Sequence, residues 1–303
     1  MKSILISDIE NSVGFEISSE IKESILKERL TYSELEGEDL EKYILEYLKV
    51  LDEDLSVSGE HRRNDWESGW GENLKLFLET KDEKTLIPKY HGKSNIARLN
   101  GRIIRTYDQQ FDFKLHSFIV DSVIRKHAPN FKRICEFGCG TGYHLFRMSK
   151  YFPDKNFVGL DWSRSSQRLI SEAATGANLK VSARNFDYFN PDESFDINGD
   201  LILTVASLEQ IGDKHKPFVD YLISKKPGLC IHFEPISEVF DKESNLLDHL
   251  TSKYFNKRNY LKGFLTRLKE LESENKIQIL ETRRLNYGSK FIEGHTLIIW
   301  KPI

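Results

Sequence analysis

The sequence predicts an α/β fold: a mainly parallel sheet of seven strands with helices on both faces, preceded by a mainly helical N-terminal extension. Three observations carry this. From residue 132 onward, short apolar runs alternate with helical patterns. The first of these runs leads straight into Gly138-Cys139-Gly140-Thr141-Gly142. Residues 1–110 follow a different rhythm of helical spacing and charged connections. Alternating strands and helices imply parallel strands whose crossovers cover both faces of the sheet. A chain of 303 residues is long for one compact domain, so a catalytic-size domain plus an extension is expected.

The elements follow in chain order. Ile21, Ile25 and Leu30 mark one face of a helix that starts after Ser18-Ser19, and Leu40, Ile44, Leu48 and Leu51 mark a second. The acidic piece between them, residues 33–39, reads as a solvated connection. Residues 59–74 hold two tryptophans, three glycines and two arginines, which reads as a functional loop whose Trp66 and Trp70 either anchor packing or meet a ligand. Residues 88–110 carry Tyr90, His91, Arg98, Arg102 and Arg105 and are expected to lie over a site. A helix uses Phe111, Leu115, Phe118, Ile119 and Val123 and ends near His127-Ala128-Pro129. Strands are expected at 133–137, 156–160, 179–184, 200–206, 229–234, 277–285 and 295–300, with a long helical stretch at 244–274. The expected domains are 1–110, an acceptor-binding lid, and 111–303.

Composition narrows the function. The net charge of −3 gives no default polyanionic partner, so no nucleic acid is expected. The three cysteines Cys135, Cys139 and Cys230 are too few and too scattered for a disulfide framework and fit a reducing, cytoplasmic setting. No signal peptide is read at the N-terminus, and no run approaches the roughly 18 apolar residues of a membrane span. No metal site is read, because no set of Cys, His or acidic residues has ligand spacing.

The chemistry centres on the turn after the first strand. Glycines are needed where backbone turns sharply and approaches a ligand closely, and the helix behind them presents unpaired N–H groups. The second strand, Phe157-Val158-Gly159-Leu160, ends at Asp161, where a carboxylate can accept from both hydroxyls of a ribose. Dinucleotide sites favour Gly-x-Gly-x-x-Gly. Here the spacing is Gly-x-Gly-x-Gly, and Glu136 stands two residues before the first glycine. An acid there suits a cation and opposes a pyrophosphate.

Glu136-Phe137-Gly138-Cys139-Gly140-Thr141-Gly142 closely resembles motif I of the class I, Rossmann-like, S-adenosylmethionine (SAM)-dependent methyltransferases. The resemblance extends over about 130–303 and implies the strand order of that family and SAM as cofactor. By it, Glu136, Gly138, Cys139 (through its backbone), Gly140 and Gly142 form the cofactor loop, and Asp161 binds the ribose. Trp162 packs beside the adenine. In Asn185-Phe186-Asp187, Phe186 lies by the base and Asp187 receives the adenine amino group. Residues 201–211 resemble the family's segment after the fourth strand, with backbone at Thr204 and Val205 along the methionine moiety.

The acceptor is less legible. Ionisable residues at the carboxyl ends of the fourth and fifth strands are Glu209, His232 and Glu234, and His232 and Glu234 alternate onto one side of a strand. They read as a general base and its orienting carboxylate; a hydrogen-bonded structural histidine is the competing reading. His215 is a weaker candidate. The place of the Asn/Asp-Pro-Pro-aromatic motif of many amine and amide methylating enzymes holds Thr204-Val205-Ala206-Ser207. This favours O-methylation of a small molecule or a glycan-related sugar. N-methylation of a small molecule and a catalytically degenerate SAM-binding scaffold are the alternatives. The arginines of the extension point to an anionic acceptor.

Overall fold

The computed structural model describes residues 1–293 and 295–303. The N-terminal part comprises β1 (Lys2–Ser3), α1 (Ile6–Val13), α2 (Ser19–Glu28), β2 (Thr31–Glu34), α3 (Gly37–Asp52), α4 (Arg63–Thr80), β3 (Ile96–Leu99) and β4 (Arg102–Thr106). The remainder comprises α5 (Phe111–His127), β5 (Arg133–Phe137), α6 (Tyr143–Tyr151), β6 (Asn156–Asp161), α7 (Arg164–Ala177), β7 (Val181–Asn185) and β8 (Leu201–Val205). It continues through α8 (Lys216–Lys225), β9 (Leu229–Glu234), α9 (Leu246–Arg258), α10 (Phe264–Ser273), β10 (Ile277–Arg284), β11 (Tyr287–Gly288) and β12 (Thr296–Pro302).

The main sheet has seven strands in the order β10-β12-β9-β8-β5-β6-β7. The five strands from β5 to β9 are parallel, and β12 and β10 run antiparallel at one edge. Alternate residues feed opposite faces, as the pleat requires. Ile134, Phe157, Leu201, Ile231 and Phe233 join the core that includes Leu145 of α6 and Ile170 of α7. Cys135, Phe137, Ile202, Cys230, Ile298 and Trp300 join the core that includes Phe218 of α8 and Leu268 of α10. Both faces are therefore dry, which is why these strands read as nearly unbroken apolar runs.

Caps set the helix starts and stops that position the site. Ser163 Oγ accepts from the Ser166 amide at 3.1 Å and starts α7, and Asn178 in the left-handed conformation ends it. The long helical stretch after residue 244 divides into α9 and α10. Asn245 caps α9 by accepting from the Leu247 and Asp248 amides, and Asn259, also left-handed, stops it.

The mainly helical extension also carries a small sheet that the sequence did not reveal: β1, β2, β4, β3 and β11 form a five-stranded antiparallel sheet. One expectation changes. Residues 63–74 are not loop but belong to α4, entered through a single 3-10 turn at Glu60–Arg62. Gly69 and Gly71 sit inside this helix, and a β-carbon at Gly71 would lie 3.4 Å from Ser165 Oγ. α4 lies close to the start of α7, where Glu67 accepts from Ser165 Oγ at 2.6 Å and from its amide at 3.1 Å.

Candidate active site

The carboxyl ends of β5, β6 and β8 open into a cavity of about 560 Å³ that also receives side chains from α4, α5, α6 and the segment between β11 and β12. The turn after β5 forms part of its wall. Gly138, Gly140 and Gly142 all have positive φ (65°, 52° and 73°), a conformation that L side chains adopt only with strain. Space forbids side chains too. A β-carbon at Gly138 would lie 2.4 Å from that of Ser207, and one at Gly140 would lie 2.8 Å from the Trp70 ring. Trp70 of α4 thus rests on the glycine turn, with Trp66 stacked on it at 5.7 Å.

Asp161 at the end of β6 locks this turn. Its Oδ2 accepts from the Gly140 amide at 2.9 Å and its Oδ1 from the Ser163 amide at 2.9 Å. Ser166 Oγ donates to the Gly140 carbonyl from the other side. Glu136 lies beneath the turn. It is 2% exposed, and its Oε2 is buried without a hydrogen-bond partner. Burial, with the Asp161 charge added, pushes its pKa up to about 8. An orphaned acceptor beside an acid-locked glycine cradle fits the ammonium, sulfonium and ribose of SAM, and it opposes a phosphate. The glycines, Glu136 and Asp161 are the groups that would hold that cofactor.

Among the residues expected at the cofactor, Glu136, Gly138, Cys139, Gly140, Asp161, Trp162, Phe186 and Val205 line the cavity. Gly142 lies at the start of α6 and shapes the turn by donating to the Cys139 carbonyl at 2.9 Å. Asp187 faces elsewhere: it accepts from the Phe189 amide and pairs with Arg63 of α4, whose guanidinium also lies 4.6 Å from the Trp162 ring centre. Thr204 is fully buried, and its Oγ1 meets His232 Nδ1 at 2.9 Å.

Of the three ionisable candidates, only Glu209 lines the cavity, with its pKa raised to about 7 by burial. His232 points into the core under α10, with Phe264 5.1 Å away ring to ring. The Trp300 indole donates to its Nε2 at 2.8 Å, so its proton sits on Nδ1 and goes to Thr204. Both ring nitrogens are thereby used, and neither meets Glu234. Glu234 instead accepts from the Ser207 amide at 3.1 Å, and its Oε2 is buried without a partner. His215 is likewise engaged, by the Lys262 carbonyl.

In the extension, Trp66, Trp70, Tyr90 and His91 reach the cavity. Arg98 does not: it is 2% exposed and is held by Thr251 at 2.6 Å and Tyr43 at 3.1 Å. Arg102 is exposed, and Arg105 pairs with Asp39 at the surface. The cationic guanidinium groups in the wall belong to Arg62 and Arg258. Sequence reasoning also missed Asp112, His116, His144, Tyr188, Tyr287 and His295, all of which line the cavity. They come from four separate segments and form no motif; only His144, two residues past Gly142, lay beside a recognisable signal.

The buried carboxyls make a pH prediction. Burial raises Glu136 and Glu234 to about 8, Glu209 to about 7 and Asp161 to about 6. Burial also lowers His91, His144 and His232 to about 3 and His295 to about 4. Between the ordinary carboxylate range and pH ~6.5, the unfolded chain holds extra protons on histidine and lacks them on the acids, so the two sets oppose each other. Above pH ~7 the unfolded histidines have released most of their protons, and the acids outweigh them. The folded protein then keeps protons on Glu136 and Glu234 that the unfolded chain has released, so stability falls as pH rises. The ligand-free melting temperature should drop across this window, and Glu136→Gln should flatten the drop. A melting temperature that holds or rises from pH ~7 to ~8 would mean that these carboxyls are already ionised.

Among the described residues, no helix is long and apolar enough to cross a membrane, and no group of three or more His, Cys, Asp or Glu residues has metal-holding geometry. The three cysteines are free and buried. The profile of a methyltransferase domain matches residues 130–283. The malonyl-[acyl-carrier protein] O-methyltransferase of Bacillus anthracis is 26% identical over 136 residues, which span 43% of this chain and 45% of that protein. Its counterpart in Bacillus cereus is 26% identical over 117 residues, covering 38% and 40%. The chain thus spans less than half the length of the curated relatives it matches. Among solved structures, magnesium protoporphyrin IX methyltransferase from Synechocystis PCC 6803 is similar over 63% of this chain and 86% of that one, with 15% identity and a TM-score of 0.46. The matched domain takes in the glycine turn, Asp161 and strands β5 to β9, and the chain belongs to the class I SAM-dependent methyltransferase family.

Proposed function

We propose that the protein transfers the methyl group of SAM to a hydroxyl of a small molecule or glycan-related sugar. The observation that carries this reading is one cavity shared by two kinds of wall. One wall is the glycine turn with Glu136 and Asp161; the other is rich in histidine and tyrosine and is supplied by the extension, α5, α6 and the segment before β12. When bound, SAM supplies an electrophilic methyl on a positive sulfur. The residues of the chain fix the acceptor against it, and such positioning can account for much of a methyl-transfer rate.

The likeness to O-methyltransferases named for malonyl-[acyl-carrier protein] supports an oxygen acceptor. Neutral imidazoles and tyrosine hydroxyls suit an alcohol, to which they can both donate and accept. Arg62 and Arg258 offer a place for an anionic group on the acceptor. Trp66, Trp70, Tyr90 and His91 support a role for residues 1–110 in covering the acceptor.

Calorimetry with S-adenosylhomocysteine, followed by mass spectrometry of sugars and small carboxylic acids incubated with enzyme and SAM, tests the reading. Binding of the homocysteine product together with a mass gain of one methyl on an oxygen is the expected outcome. Tight binding with no methyl transfer to any acceptor, including the total metabolites of the source cell, would favour a scaffold instead.

A further inference from the structure

Arg258, the last residue of α9, lines the cavity together with Arg62, and the two guanidinium groups are held differently. Arg62 is already answered: its Nε pairs with Asp65 at 3.1 Å and its Nη1 donates to Gln210 Oε1 at 3.4 Å. The Arg258 guanidinium pairs with no acid and donates no hydrogen bond among the described residues. Its Nε is buried without a partner, and its two terminal nitrogens remain accessible. Glu209, on the same wall, gives its Oε1 to the Gln210 side-chain amide at 2.8 Å and pairs with neither arginine.

Aromatic rings, not an acid, hold the Arg258 charge. The guanidinium carbon lies 5.2 Å from the Tyr260 ring centre and 6.0 Å from that of Tyr254. Such faces fix a cation in place without neutralising it. The segment is pinned from the extension. The Ser58 amide donates to the Arg258 carbonyl at 2.8 Å, Asn259 Nδ2 donates to the Ser58 carbonyl at 3.2 Å, and Ser58 Oγ donates to Gln210 Oε1 at 3.2 Å. A cation at the end of a helix suits the helix dipole, which explains the charge but not its direction. Lys257 turns away to the Leu51 carbonyl at 2.6 Å, whereas Arg258 turns to the cavity. A half-buried guanidinium without a counter-charge is costly until something supplies one.

Resting on the methyltransferase reading above, we propose that the two terminal nitrogens of Arg258 bind a carboxylate of the methyl acceptor, which is therefore a hydroxy acid or an acidic sugar. The planar fork of a guanidinium matches the two oxygens of a carboxylate. The charge count selects the same group. With Arg62 offset by Asp65, one positive charge is left over, and a carboxylate carries one negative charge. A phosphate dianion would bring a second negative charge into the wall that holds Glu209. The carboxylate is the anchor and not the reacting group: oxygens that accept charge-assisted hydrogen bonds have their lone pairs engaged and make poor nucleophiles. A hydroxyl elsewhere on the acceptor is left to receive the methyl group.

Calorimetry on the S-adenosylhomocysteine-loaded protein tests this with glycolate, D-glucuronate and 4-hydroxybenzoate, each beside its uncharged primary amide, and with inorganic phosphate. At least one carboxylate should bind, and its amide should bind on the order of 10-fold more weakly or not at all. Arg258→Gln should weaken that carboxylate by on the order of 30-fold, and Arg258→Lys, which keeps the charge without the fork, should recover part of the loss. Both variants should hold S-adenosylhomocysteine like the wild type, which separates the anchor from a folding defect. Carboxylates that bind no better than their amides, phosphate that binds more tightly than every carboxylate, or a glutamine variant within about 3-fold of the wild type would overturn the proposal. So would a methyl ester as the product from any of the three acids. Each of these results leaves the methyltransferase reading intact. Failure of the wild type to bind S-adenosylhomocysteine sinks that reading, and the acceptor role of Arg258 with it.

Discussion

Replacing Asp161 by alanine should weaken S-adenosylhomocysteine binding by on the order of 100-fold, or about 2.7 kcal/mol. The carboxylate accepts from the amides of Gly140 and Ser163, so it joins the glycine turn to the start of α7. Removing it leaves two buried N–H groups unpaired, each worth about 1–3 kcal/mol. The free protein relieves part of that by letting the turn relax. A bound ligand must then restore the positive-φ path through Gly138 and Gly140, and it also loses the carboxylate that faces the cavity. Asp161→Asn keeps one acceptor oxygen and should recover part of the loss. Titration calorimetry of the two variants checks this; an alanine variant within about 3-fold of the wild type would show that the lock does not shape the site.

His232→Ala should lower unfolding stability by about 3–5 kcal/mol, read by urea titration. The ring is fully buried between Trp300 and Phe264, so truncation leaves a void in the core shared by β9, β12 and α10. It also strips the partner from the Trp300 indole N–H and from Thr204 Oγ1. Methyl transfer per folded molecule should change little, since His232 does not line the cavity. A variant of normal stability that transfers methyl groups at least ~100-fold more slowly would return His232 to the chemistry.

The main sheet was readable because its five inner strands are buried on both faces and bounded by turn residues, so apolar runs mark them directly. β5 and β9 match the expected 133–137 and 229–234, and the other strands differ by a few residues at their ends. The N-terminal sheet was not readable. Its strands are two to five residues long, and stretches such as Thr31-Tyr32-Ser33-Glu34 are too short and too polar to show a period of two. α4 was masked by Gly69 and Gly71, which signal a loop to any local rule but here sit inside a helix, Gly69 facing open space. In the site, Glu136, the glycines and Asp161 were visible because a nucleoside cofactor demands a contiguous turn and one acid at a fixed strand end. The alternation of His232 and Glu234 was also visible, but parity along a strand says only that two side chains share a face. That face here is the one covered by α8 and α10. The histidine wall is assembled from segments far apart in sequence, and no local spacing encodes it.

Tyr287 and Gly288 complete the N-terminal sheet by pairing with Leu99 and Arg98. Its edge thus waits on residues made long after β3 and β4, and the same stretch brings Tyr287 and then His295 to the cavity. On a ribosome, β3 therefore emerges with an open edge that stays unpaired until β11 has followed. Such long-range pairing is slow to form, and an open edge exposes a nascent chain to association with its neighbours. The side of the cavity that Tyr287 and His295 supply is then the last to form. A chain made only as far as β9 can hold the glycine turn and β5 to β9 in place while that side of the cavity still stands open.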